Sequence, residues 1–197
     1  MCVSRRLCDP SPRHGRNRPS GDVDLFTDWH RRADFPAAVK AVVDALEQHG
    51  FAVTTAMTSE TFARQLIHHS AEPNHEPDKL EMSADWRAHP PVMLDIGPVL
   101  HPDAAVANKM CALFGRALPR DFLDIDAVIT SGRYDYDQLL DLAKNADSGF
   151  NVELFADALG ALTQITDDAF AEYGIPSKVA DAMRRRFAAW RQELRST

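Results

Sequence analysis

A chain of 197 residues, 45% hydrophobic and 26% charged, has the composition of an ordinary soluble domain with one good core, or one core and a small helical appendix. It holds no run near the ~20 apolar residues that cross a bilayer, and no apolar stretch follows its arginine-rich start, so membrane and secretory classes are excluded and the expected location is cytoplasmic. The net charge of −7 divides into about +4 on each of residues 1–20 and 178–197 and about −15 between them, which does not suit a simple DNA-binding module.

Residues 1–19 are rich in Pro, Arg and Ser without periodicity and read as irregular; Pro10, Pro12 and Pro19 also argue against the amphipathic helix of a transit peptide. "DVDLF" then reads as a short strand. "DFPAAVKAVVDALEQHG" reads as a helix, with Asp34 as N-cap, Pro36 in the first turn, Val39, Val42, Val43 and Leu46 on one face, and Gly50 at the close. "FAVTTAM" returns as a strand. "TFARQLIHH" and "KLEMSA", separated by the turn-forming "AEPNHEP", favour a hairpin, and "PVMLDI" is a further short strand.

After Pro98 the pattern turns helical. "PDAAVANKMCALFGRAL", "PRDFLDIDAVITSG", "YDQLLDLAKNA", "NVELFADALGALTQI" and "PSKVADAMRRRFAAWRQELR" each carry helical spacing. The expected architecture is α+β: an irregular basic N-terminus over residues 1–19, a mixed-sheet domain over 20–98 and a helical domain over 99–197.

Three stretches can carry chemistry. Asp22 and Asp24 are two apart on a strand and so project from one face, where they either chelate Mg²⁺, a cation that prefers oxygen ligands, or stand as solvated surface acids. Glu81 alternates with Leu80 and Met82, so it lies opposite their apolar face, as a site acid or an ordinary solvent-facing glutamate. Lys109 and Arg116, seven apart, share a helix face, as do Asp121 and Asp124 on the next helix. They either bind triphosphate or form plain salt bridges between packed helices.

Other groups read as bland. Cys2, Cys8 and Cys111 are odd in number and lack Cys-x-x-Cys spacing, which speaks against a disulfide framework or zinc site. His68, His69 and His75 fit no standard ligand pattern and read as part of a solvated turn. "RRRFAAWRQELR" reads either as a basic aromatic grip on an RNA backbone or as a terminal helix that buries Phe187 and Trp190.

Taken together, "SGDVDLFTD", "KLEMSAD" and "NKMCALFGRALPRDFLDIDAV" resemble the nucleotidyltransferase toxins of the AbiEii/AbiGii type, over residues 18 to about 165. The third segment carries the most: a Lys, a downstream Arg, then Arg-Asp-x-x-Asp. The resemblance implies a polymerase-β-like nucleotidyltransferase mixed sheet followed by a C-terminal helical bundle. It implies NMP transfer from an NTP to an RNA acceptor such as the tRNA 3′ end, blocking translation, with Mg²⁺ as cofactor and a cognate antitoxin as partner. It makes Asp22 and Asp24 the metal acids, Glu81 a candidate base with Asp85 in reserve, Lys109 a phosphate contact and Asp124 the late catalytic aspartate. Ser20, Arg116, Arg120 and Asp121 would support the nucleotide. The chain departs from the family pattern in one place, since residues 1–21 hold no Gly-Gly or Gly-Ser element ahead of the acids.

That departure motivates the alternative of a degenerate, non-catalytic nucleotide-, RNA- or antitoxin-binding protein. A haloacid-dehalogenase-type phosphatase also opens on Asp-x-Asp, but Phe26 stands where that chemistry wants a small or β-branched residue.

Overall fold

The computed structural model describes residues 2–4, 22–69 and 76–196, with the side chains of residues 2–4 and 22 outside that set. It consists of two compact units, Met1–Pro102 and Asp103–Thr197.

The first unit is a seven-stranded mixed sheet. Its strands are β1 (Cys2–Ser4), β2 (Asp22–Asp28), β3 (Ala52–Thr58), β4 (Phe62–His68), β5 (Asp78–Asp85), β6 (Val92–Leu94) and β7 (Gly97–Val99), in the order β3-β4-β5-β2-β1-β7-β6. β2 runs parallel to β5, β1 parallel to β7, and the other neighbours are antiparallel. The strand β1 corrects the irregular reading of residues 1–19. Three residues are too short for periodicity to register, and their pairing with β2 and β7 is long-range. The rest of residues 1–21 lies outside the described residues.

One helix, α1 (Phe35–Gln48), follows β2 and covers one sheet face. Phe35, Ala63 and Met82 are fully buried there, with Leu25, Val39, Val42 and Leu46 packed around them. Burying each large apolar side chain contributes about 2 kcal/mol. Asp34 stands at the N-cap position as expected, but its side chain makes no cap hydrogen bond. Its carboxylate accepts from Arg31 instead, because a 3₁₀ turn over Trp29–Asp34 runs directly into the helix. Gly50 closes the helix with a φ of +85°, a conformation that costs glycine nothing.

The second unit is all helical: α2 (Pro102–Arg116), α3 (Pro119–Thr130), α4 (Tyr136–Ala146), α5 (Val152–Gly160), α6 (Asp167–Ala171) and α7 (Ser177–Ser196). A 3₁₀ turn over Ala161–Gln164 extends α5. The short α6 falls in a stretch where the sequence pattern marks no helix; Thr166 caps it, accepting from the Ala169 N–H. Val106, Met110 and Leu113 of α2 meet Phe122 and Ile125 of α3 in one core, with Phe187 and Trp190 of α7 at 1% exposure. Trp190 stacks on Tyr136 at 4.5 Å and takes Phe155 edge-on at 5.2 Å. No helix among the described residues is long and apolar enough to cross a membrane.

Candidate active site

In the first unit the site acids follow from strand alternation. Leu25 of β2 packs into the core under α1, so Asp24 beside it takes the other sheet face. The same alternation on β5 buries Leu80 and Met82 and leaves Glu81 half-exposed on that face. The parallel register pairs Asp24 with Glu81, and the antiparallel register of β4 pairs Glu81 with Arg64. Three charged residues on three adjacent strands therefore form one row. Arg64 donates from Nε at 2.8 Å and from Nη2 at 2.7 Å, both to Glu81 Oε1.

The row gives the acids a fixed positive neighbour, which sequence spacing does not reveal. Like charges on directly opposed strand positions repel, and Arg64 lowers that cost. The other half of the expected pair, Asp22, opens β2 in register with Lys79, and its side chain lies outside the described residues, as does Ser20. Asp85, the reserve acid, is held by Arg87 at 2.9 Å, whose guanidinium lies 4.4 Å from the centre of the Phe26 ring. The donor set of this face, carboxylate oxygens on adjacent strands, is the hard-oxygen chemistry that Mg²⁺ takes.

In the second unit, α2 and α3 are laced by two ion pairs. Lys109 Nζ lies 2.8 Å from Asp124 Oδ2. Arg116 grips Asp121 with two parallel bonds, Nε to Oδ2 at 2.9 Å and Nη2 to Oδ1 at 2.8 Å. Asp121 is fully buried and also accepts the Leu118 N–H at 3.0 Å, so one carboxylate closes the start of α3 and anchors the end of α2. The link between the helices turns sharply at Ala117, whose φ of +47° is left-handed. Of the two readings of this stripe, salt bridges between packed helices are what the side chains make. Arg120 is the remaining member; its Nε is buried without a hydrogen-bond partner among the described residues.

α7 buries both of its aromatics, so neither ring is available for stacking on a base. Arg186 bonds Asp126, Arg195 bonds Asp157, and Arg184 lies 2.6 Å from Asp167. Burial pushes the Asp126 carboxyl up from its ordinary value, opposed by Arg186. The hydrogen bond from Arg184 holds Asp167 down. Burial, reinforced by a 2.6 Å bond to Asp103, pushes the Tyr134 hydroxyl up to about 12.

The histidines near the first hairpin form no ligand cluster among the described residues: His69 pairs with Asp78 at 2.6 Å, His68 meets Thr54, and His75 lies outside the described set. Cys111 is half-buried and in no disulfide among the described residues. Sequence reading missed Arg64. The signal was present, since pairing β4 with β5 as a hairpin brings Arg64 opposite Glu81.

A family model described as "Nucleotidyl transferase AbiEii toxin, Type IV TA system" matches residues 11–195. Among solved structures, one from H. pylori assigned as a nucleotidyltransferase is 16% identical and aligns over 92% of this chain and 80% of its own, with a TM-score of 0.53. JHP933 from Helicobacter pylori is 17% identical over 93% and 83%, with a TM-score of 0.43. MenT4, the nucleotidyltransferase toxin Rv2826c of Mycobacterium tuberculosis H37Rv, is 17% identical over 73% and 50%, with a TM-score of 0.38. No curated protein matches the chain. With a nucleotidyltransferase fold and a family match over nearly its whole length, the chain belongs to the AbiEii nucleotidyltransferase toxin family.

Proposed function

We propose that this chain transfers a nucleoside monophosphate from an NTP to an RNA acceptor, the tRNA 3′ end, and so blocks translation until a cognate antitoxin protein counters it. The observation that carries the proposal is the pairing of Asp24 with Glu81 on the sheet face opposite α1.

In the reaction, an acceptor hydroxyl oxygen bonds the α-phosphorus, the bond from that phosphorus to the β-bridging oxygen breaks, and pyrophosphate departs. Glu81 receives the hydroxyl proton. Asp22 and Asp24 would hold Mg²⁺, which when bound neutralises triphosphate charge and acidifies the acceptor hydroxyl. Lys109 offsets charge on the departing pyrophosphate, and Asp124 orients its ammonium through the 2.8 Å pair. Arg116 and Arg120 support the nucleotide, with Asp121 fixing the Arg116 guanidinium in its plane. Ser20 completes the proposal as a donor to a phosphate oxygen.

The test is incubation with each labelled NTP, Mg²⁺ and total tRNA. Label joined to RNA by the wild type and absent with Asp24→Ala supports the reading. RNA or nucleotide that is bound but never joined would establish the non-catalytic alternative.

A further inference from the structure

A cleft of about 270 Å³ lies in the second unit between α5, its 3₁₀ extension and α7, and none of its lining residues has a part in the transfer reaction proposed above. Leu159, Leu162 and Phe187 close it from beneath at 3% exposure or less, and Thr163, Arg184, Arg185, Ala188 and Arg191 line the rest, with no carboxylate among the lining residues. Arg184, Phe187, Ala188 and Arg191 share one face of α7 by helical spacing, with Arg185 on the flank.

The three arginines are not equivalent. Arg184 is neutralised by Asp167 and Asp181 and bonds the Ile165 carbonyl, so it is structural. Arg185 is exposed and Arg191 bonds only the Ala156 carbonyl, at 2.9 Å, so neither has a carboxylate partner among the described residues. Gly160 makes room for this arrangement. A Cβ added there would stand 3.0 Å from Arg191 Cζ and Nη2. Arg191 is therefore pinned flat over bare backbone before any ligand arrives.

We propose that this cleft docks single-stranded RNA, taking a phosphate on Arg185 and Arg191 and an adjoining base on a guanidinium face. This rests on the reading that the acceptor is RNA. Each guanidinium offers parallel N–H donors that match a phosphate and a planar face that accepts a base. The volume lies just below the range of about 300–1,000 Å³ usual for ligand sites, which suits one nucleotide of a strand rather than a folded segment.

The experiment is a fluorescence-anisotropy titration of short labelled oligouridine with the full chain, without NTP, over a salt series. Arg185→Glu weakens binding about tenfold and flattens the log–log salt slope by about 0.7 for the lost contact. Gly160→Ala, which displaces Arg191, weakens it as well, while Arg133→Glu at an exposed site elsewhere in the unit leaves both quantities unchanged. Unaltered affinity in Arg185→Glu and Gly160→Ala overturns the proposal, as does an equal loss in Arg133→Glu. Cleft-dependent binding of polyglutamate without RNA binding also overturns it, in favour of an acidic peptide. Because no chemistry is measured, cleft-dependent RNA binding with no nucleotide transfer would sink the enzymatic reading and leave this one standing.

Discussion

Asp24 and Glu81 occupy partner positions on the parallel strands β2 and β5, and Arg64 reaches Glu81 from β4 on the far side. Two carboxylates placed together repel, and the fold places an arginine beside one of them. That arrangement makes a cation-dependent stability the natural readout. Arg64→Ala removes one positive charge from the row, and the half-exposed pair it breaks is worth no more than about 1 kcal/mol. Thermal melts with and without Mg²⁺ check this: Mg²⁺ restores more stability to Arg64→Ala than it adds to wild type, and adds none to Asp24→Ala.

Asp121 and Asp124 are three residues apart on α3 and separate into two roles. Asp121 is fully buried under Arg116 and closes the helix start, so Asp121→Ala removes a charged bidentate bond and a cap together. Chemical denaturation should give a loss of about 2 kcal/mol, moderated because the Arg116 left behind is partly exposed. Asp124→Asn costs under about 1 kcal/mol by the same measurement, since its partner Lys109 is partly solvated. In the transfer assay the order reverses at equal folded protein. Asp124→Asn falls about a hundredfold or more, and Asp121→Ala loses less.

Tyr134 supplies a pH prediction in the alkaline range. Its hydroxyl titrates from an ordinary value of 10.0 when unfolded and at about 12 when folded, through burial and the bond to Asp103. Between those values the folded chain binds more protons than the unfolded one, so stability falls as pH rises across the window. Tyr134→Phe removes the proton and flattens that decline. Ultraviolet difference titration of the tyrosines, run beside denaturant melts at each pH, checks both halves.

Strand and helix periodicity were legible because they are local. The β2 acids, the α1 stripe and the five long helices of the second unit all announce themselves by spacing of 2 or 3.6 residues. β1 was not legible, because three residues carry no period and their partners lie twenty or more positions away. Arg64 escaped for a related reason. Its role exists only after two registers, β4 with β5 and β5 with β2, are both fixed. The short helix α6 is set by the Thr166 cap and the burial of Phe170, tertiary features in a stretch too short for an amphipathic pattern. At α2 and α3 the spacing correctly brought cations and acids onto facing stripes, and side-chain placement then chose the partners: Lys109 with Asp124, Arg116 with Asp121.

On the proposed reading the NTP is cut between its α- and β-phosphorus and the nucleotidyl half moves to RNA. Parallel reactions with α-labelled and γ-labelled NTP separate the two halves directly. Label should reach RNA only from the α position, with the γ label released as pyrophosphate, and neither event should occur in Asp24→Ala. Label arriving in RNA from the γ position, or α-label incorporation undiminished in Asp24→Ala, would contradict it.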